Sequence, residues 1–422
     1  QLKSLQDKAW KDYPFTLEAM VAAIDEARSS VITRIKGMDD PRVLEEIRDG
    51  VAAICRDFPG RYWQERDAAR EYPEDFVNAL TASGYLAALV PEEYGGSGLS
   101  LTAAAVILEE IHRNGCNAAA CHAQMYTMGT VLRHGSDGQK QAYLPGIADG
   151  SLRLQAFGVT EPTSGTDTLS LRTTARRDGD DYIVNGQKIW TSRAEYSDLM
   201  LLLARTTPRD QVEMRTDGLS VFLLNMKDFI GKGMTIRPIR TMINHSTTEV
   251  FFDELRIPAS SLIGVEGKGF RYILSGMNAE RILIAAECIG DAKWFIEKAT
   301  TYVNERVVFG NPIGRNQGIQ FPIAKAYAHM LAAEAIVQRA AATYDRGEDP
   351  GGEANIAKML AADASWQTGE ACLQSFGGFG FAEEYDVERK WRETRLYQVA
   401  PISTNLILSY IAEHILKMPK SY

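Results

Sequence analysis

The chain is short of cysteine, short of net positive charge, and without a long apolar run. Its five cysteines (Cys55, Cys116, Cys121, Cys288 and Cys372) are odd in number and follow no zinc-ligand spacing; CNAAAC, at 116–121, is not a CxxC pair. No disulfide framework and no metal site are therefore expected, and the thiols read as reduced structural residues of a cytoplasmic protein. A net charge of −9 argues against a nucleic-acid partner, whose phosphates attract a basic surface. No apolar stretch reaches membrane-spanning length and the first residues carry no signal-peptide pattern, so neither insertion nor secretion is expected. A Rossmann fingerprint is also missing. The nearest candidate, GGFGF at 377–381, follows a helical pattern and lacks the last glycine.

What is present is the composition of a globular protein: 45% hydrophobic and 24% charged residues. A length of 422 residues implies two or three packed units. Residues 1–38 place Leu17, Met20, Val21, Ile24, Ala27 and Val31 at helical spacing. They read as a helical extension, either native or a remnant ahead of a natural start at Met38. Residues 39–154 are helical in pattern, with apolar stripes in VLEEIRDGVAAICRDF and LTAAAVILEEIHRNG. From 155 to 268 the character changes: DYIVNG, LMLLLAR, LSVFLLN and EVFFDELRIP alternate or run apolar between glycine-containing turns, which is a β pattern. From 269 to 422 long helical patterns return, expected over 270–308, about 320–346 and 354–376. The fold class is thus α+β, with an N-terminal helical domain, a middle β domain and a C-terminal domain resembling a four-helix bundle.

Residues 157–192 are the most informative. FGVTEPTSGTD sets Thr160, Ser164, Gly165 and Thr166 around the turn Glu161-Pro162, and YIVNGQKIWTS ends in Trp190, Thr191 and Ser192. Two such strand ends can hold a flat hydrogen-bonding ring, whose edges need fixed N–H and O–H partners and whose faces need an aromatic or apolar wall. These segments resemble the flavin-binding signature of the acyl-CoA dehydrogenase family. VPEEYGGSGLS at 90–100, ERVVFG at 305–310 and QSFGGFGF at 374–381 follow in the family's order, so the resemblance extends from about Asp39 to the C-terminus.

The resemblance implies FAD as cofactor. Phe157, Val159, Thr160, Trp190 and Ser192 fall where the family lines the isoalloxazine ring, and Gly165 and Thr166 near the cofactor phosphates and the CoA arm of the substrate. Arg306, Phe309, Gln317, Gln374, Gly377 and Gly378 match positions that bind the pyrophosphate and adenosine half, some of them from a neighbouring subunit. It further implies a homotetramer or homodimer, an acyl-CoA substrate, and electron-transferring flavoprotein as acceptor.

The reaction so implied removes hydrogen from Cα and Cβ of a thioester and needs a carboxylate base. Many members carry it as a glutamate in a Tyr-Glu-Gly triplet near the C-terminus. Here the sequence reads Tyr397-Gln398-Val399-Ala400-Pro401, and neither Gln398 nor Val399 accepts a proton. Isovaleryl-CoA dehydrogenases place the carboxylate on a mid-chain helix, just before an arginine. That position is Glu280, followed by Arg281, in MNAERILIAAECIG. Helical spacing puts Met277, Glu280, Ile284 and Glu287 near one face, and apolar neighbours raise a carboxyl pKa toward that of a useful base. Asn278 and Arg281 are candidate substrate contacts. Ser403 is a candidate cofactor contact or a helix-capping serine, and His245 reads as a polar loop residue. Two alternatives stay open: a flavin monooxygenase or oxidase of the same fold, which needs no such base, and a non-catalytic scaffold that keeps the flavin.

Overall fold

Asp40 opens the first helix of the described residues, its side chain accepting from the Arg42 N–H at 2.9 Å ahead of Pro41. The computed structural model describes residues 40–420; the extension expected at 1–38 lies outside the described residues. Six α-helices make up this block: α1 (Pro41–Arg56), α2 (Gly60–Ala69), α3 (Glu74–Ala82), α4 (Leu101–Arg113), α5 (Ala123–His134) and α6 (Asp137–Asp149). Ser100 caps α4 by accepting from the Ala103 N–H at 2.9 Å, and Ser136 with Gln139 forms a reciprocal capping box at α6.

Eight strands come next: β1 (Leu154–Gly158), β2 (Thr174–Asp178), β3 (Asp181–Ser192), β4 (Leu199–Arg205), β5 (Leu219–Asn225), β6 (Met234–Pro238), β7 (Thr247–Pro258) and β8 (Leu262–Ile263). They form one sheet in the order β6-β7-β3-β2-β4-β5-β8, with β1 paired parallel to β4. The apolar run LMLLLAR is explained by burial on both faces. Leu199, Leu201 and Leu203 join a core shared with α5 and α6, whereas Met200, Leu202 and Ala204 face a core inside the β domain with Tyr182, Phe222 and Phe252.

The last third holds α7 (Gly269–Glu305), α8 (Gln317–Asp345), α9 (Gly351–Phe376), α10 (Val387–Tyr397) and α11 (Thr404–Tyr410). The helix expected to reach Val308 stops at Glu305. Val307–Val308 instead pairs with Asn311–Pro312 in a short hairpin, turned through Phe309 (φ 51°) and Gly310 (φ 77°). Two adjacent β-branched residues before a glycine favour an extended exit over another helical turn. The two following helices begin about a turn earlier than their apolar periodicity suggested, at Gln317 and Gly351.

The helical domains share a core in which α7 packs on α4, with Ile107, Leu108 and Ile111 against Ile282, Ala286 and Ile289. Inside this apolar contact runs a line of buried charge. His112 Nδ1 lies 2.9 Å from Asp291, and its Nε2 accepts from the Ala118 N–H at 3.0 Å, so the ring proton sits on Nδ1 and points at Asp291. The Lys390 ammonium contacts both Asp291 and Glu393, and Arg389 joins Glu393 to Asp386. Burial opposes the charged forms of Lys390 and Asp291. Their mutual attraction outweighs it, so the lysine pKa lies above and the aspartate pKa below its ordinary value. His112, Asp291 and Glu393 come close enough to suggest a metal site, but the lysine ammonium already stands among these carboxylates.

Lys390 is fully buried, and removing it strands two carboxylates. Lys390→Met is expected to lower unfolding stability by about 3–5 kcal/mol, read as a fall in urea midpoint with an unchanged slope.

Candidate active site

The site starts from the junction of β1 and β3. At its C-terminal end β3 pairs with β7 through Lys188↔Val250 and then Thr191↔Thr248, a register shift that leaves Trp190 in a bulge at φ 60°. The bulge turns the indole outward, 56% exposed, so Trp190 is not a core aromatic. The Ile189 N–H donates to the Thr160 carbonyl at 2.9 Å and ties this bulge to the chain leaving β1.

A buried ion pair underlies the same junction. Lys188 Nζ, with no exposure, donates to Glu161 Oε1 at 2.8 Å and to the Val159 carbonyl at 3.0 Å. Glu161 also accepts from the backbone N–H groups of Arg172 (2.6 Å) and Thr173 (2.8 Å). Burial pushes the Lys188 pKa down to about 8 against the pull of Glu161. For Glu161, burial is outweighed by Lys188 and the donors from Thr173 and Arg172, and its pKa falls. The Lys188–Glu161 pair was missed in the sequence. Its signal was a lysine inside an apolar strand ahead of a TEP turn.

Phe157, Val159, Thr160 and Ser192 are half-buried at this edge, beside the exposed Trp190. Asn244 donates to Ser192 Oγ at 2.9 Å. Gly165 and Thr166 lie exposed on the loop beyond, and a Cβ built at Gly165 meets no atom within 4 Å. The structure thus brings the ring-side candidates to one edge, where Phe157, Val159 and Trp190 offer an apolar wall that suits a flat heterocycle.

A second group forms elsewhere in the chain. Arg306, Gly377, Gly378 and Phe379 line one open groove, with the Arg306 guanidinium 5.6 Å above the Phe379 ring. Added Cβ atoms at Gly377 and Gly378 meet nothing, and Phe309 is fully exposed. Gln317 and Gln374 are exposed at the start of α8 and the end of α9. A guanidinium beside adjacent unobstructed glycines suits a pyrophosphate. Within this one chain the two groups sit on different domains, β1–β3 and α7–α9.

Glu280 lies on α7, only 7% exposed. Burial raises its pKa to about 7, against opposing effects from Arg281, a hydrogen bond from Tyr126, and Arg193. Arg281 Nη1 donates to Asn278 Oδ1 at 2.8 Å, so the two candidate substrate contacts are bonded to each other. Tyr126 links this carboxylate to the ring edge, its ring edge-on to Phe157 at 6.5 Å between centroids. Glu287 is fully buried, with His122 Nδ1 at 2.6 Å and the Tyr397 hydroxyl donating at 3.3 Å.

Gln398 is turned toward α9, its Nε2 donating to the Ala362 carbonyl at 2.9 Å, and Val399 is exposed. The loop that follows holds a cis Ala400–Pro401 peptide and is anchored by the buried Lys358, which donates to the Ile402 carbonyl at 2.8 Å. Ser403 is the N-cap of α11, accepting from the Leu406 N–H at 3.4 Å. His245 Nε2 pairs with Asp67 at 2.7 Å and joins the β domain to α2. All five cysteines are free and buried, and among the described residues no helix is long and apolar enough to cross a membrane.

Comparison with known proteins agrees with this arrangement. Models of the N-terminal, middle and C-terminal domains of acyl-CoA dehydrogenase match residues 42–151, 156–255 and 267–416. The acyl-CoA dehydrogenase FadE12 of Mycobacterium tuberculosis is 32% identical over 381 residues, covering 90% of this chain and 97% of that protein. Among solved structures, a glutaryl-coenzyme A dehydrogenase in complex with glutaryl-CoA superposes with a TM-score of 0.84 at 27% identity, over 91% of this chain and 98% of that one. A chain in a structure of the electron transferring flavoprotein of Acidaminococcus fermentans gives 0.82 at 28% identity, over 90% and 99%. The protein belongs to the acyl-CoA dehydrogenase family, a family of FAD-dependent oxidoreductases.

Arg306→Ala removes the guanidinium of the second group and leaves the Thr160 and Trp190 edge intact. FAD retained after gel filtration, read from the ratio of visible to ultraviolet absorbance, is expected to fall well below wild type.

Proposed function

We propose that this protein dehydrogenates an acyl-CoA thioester between Cα and Cβ, with Glu280 as the base that takes the α proton. The carrying observation is a carboxyl group, buried on α7 and held near pKa 7, one aromatic residue away from the ring-binding edge. Bound FAD would accept the β hydrogen as hydride at N5. Phe157, Val159, Thr160, Trp190 and Ser192 hold the ring, and Gly165 and Thr166 meet the cofactor phosphates and CoA arm. Arg306, Phe309, Gln317, Gln374, Gly377 and Gly378 hold the distal half, and Ser403 is a further contact. Glu280 accepts the proton on its carboxylate oxygen, Asn278 and Arg281 shape the pocket beside it, and the surrounding apolar core excludes water.

Two groups on different domains that would serve one cofactor favour assembly, with the distal half bound across a subunit contact. A homotetramer or homodimer follows, with Phe309, Phe321 and Leu360 among the exposed apolar residues it would cover. Sedimentation at micromolar protein is expected to show no stable monomer. Electron-transferring flavoprotein is the proposed acceptor, and the cytoplasm the proposed compartment.

Glu280→Gln keeps the shape and removes the basicity. Flavin bleaching by an acyl-CoA under anaerobic conditions should slow by roughly 10²–10⁴-fold while FAD and thioester still bind. In the wild type the bleaching rate should rise with pH through about 7, because burial raises the Glu280 pKa and only the deprotonated form accepts the proton. Bleaching by an external reductant alone would favour a monooxygenase, and near-wild-type bleaching in Glu280→Gln would place the base elsewhere, with Glu287 next to test.

A further inference from the structure

Arg193 directly follows the ring-side Ser192, and its backbone N–H donates to the Ser246 carbonyl at 2.6 Å. Its φ is 61°, a left-handed value uncommon outside glycine, and the residue is only 4% exposed. The guanidinium meets one acceptor, the Ala119 carbonyl just ahead of α5, through Nη1. Among the described residues Nε and Nη2 have no partner, and no carboxylate pairs with this side chain. Those two N–H groups form the fork edge that grips a planar carboxylate with parallel bonds. Arg193 lines a cavity of about 70 Å³ between α2, the turn before α5 and the 243–246 loop, several times the roughly 10–15 Å³ that one water needs. It reaches the surface at the exposed Glu71. The other charges around it are matched: Asp67 holds Arg392 and His245, Glu71 holds Arg66, and Glu393 holds Arg389 and Lys390. Among the described residues of the lining, Arg193 is the cation left over, and His245 Nδ1 is a second buried polar atom without a partner.

We propose that this cavity binds a carboxylate, gripped by the Nε and Nη2 edge of Arg193. A buried guanidinium without a counter-charge is costly, so a ligand that brings one negative charge is favoured there. A dianion such as phosphate is not, because Asp67, Glu71 and Glu393 border the same space. Two sources carry the right chemistry: a free small acid, and the far end of an acyl thioester made from a dicarboxylic acid. The second source rests on the dehydrogenase reading, and the place of the cavity suits it. Asn244 lines the cavity and donates to Ser192 of the ring edge at 2.9 Å, so the cavity borders the region where the thioester would lie.

The test uses the full FAD-loaded protein. Succinyl-, glutaryl- and adipyl-CoA are compared anaerobically with butanoyl-, pentanoyl- and hexanoyl-CoA, by the concentration giving half the maximal change in flavin absorption. At least one dicarboxylic thioester should bind roughly 10–100-fold tighter than its equal-length counterpart, the scale of a hydrogen bond to a charged group. Arg193→Gln should remove that margin, and Arg193→Lys, which keeps the charge and loses the fork, should retain part of it. Free succinate and glutarate are scored by the rise in thermal midpoint over chloride at equal ionic strength. A rise that Arg193→Gln abolishes, without a margin between the thioesters, assigns the site to a free acid. Neither margin nor rise in the wild type, a result that needs no variant to fold, would overturn the proposal and leave the cavity to water. A margin or rise that persists undiminished in folded Arg193→Gln would overturn it as well. Failure of the Glu280 reading shows separately, as fast flavin bleaching in Glu280→Gln by either series.

Discussion

Three carboxylates along one face of α7, at 280, 287 and 291, are taken out of water by the packing of α4 and α5 against the C-terminal helices, and most of the site follows from how each is satisfied. Burying an unpaired carboxylate costs several kcal/mol. Asp291 meets Lys390 and the His112 ring proton through Oδ1, and its pKa falls. Glu287 is held between His122 and Tyr397. Glu280 has the thinnest support: a tyrosine hydroxyl, and an arginine whose guanidinium donates to Asn278 instead. Burial therefore loses at Asp291 and wins at Glu280, whose pKa rises to about 7. The same helix thus carries a structural charge at one end and a carboxyl poised near neutrality at the other.

The parts that would meet the cofactor are likewise fixed by charge buried beneath them. Lys188, Lys358 and Lys390 have no exposed surface, and each anchors a different segment: the TEP loop, the 400–403 loop and α10. A buried ammonium has three donors and few places to put them, so it selects one loop conformation among many. Trp190 and Thr160 stand on such a base, which lets the indole remain exposed without the strand end losing its shape. Loops that carry function are usually the mobile parts of a fold; here they are stiffened from inside.

The helical and β blocks, the bulge-bearing NGQKIWTS strand, the Arg306 to Phe309 segment and the carboxylate at 280 were all legible in the chain, because each is a local pattern: an apolar period, a turn residue, or a short motif in order. The absence of a base at Gln398 was legible for the same reason. The helix end at Glu305 was not, since the apolar pattern continues into Val307 and Val308 and only the hairpin with Asn311–Pro312 decides against another turn. The burial of Glu280 was legible as a tendency, from Met277 and Ile284. Its depth, and the tyrosine beside it, come from α5, more than 150 positions away in the chain.

By itself, then, the sequence determined which segments are helix and strand and which residue types are available for flavin and acid–base chemistry, because these depend on neighbours three or four positions apart. Tertiary structure alone decided that Lys188 meets Glu161, that Lys390 meets Asp291, and that Tyr126 and Arg193 come close to Glu280. Those choices are set by how α4, α5, α7 and the sheet edge pack, and a carboxyl pKa responds to everything within a few ångströms whatever its place in the chain.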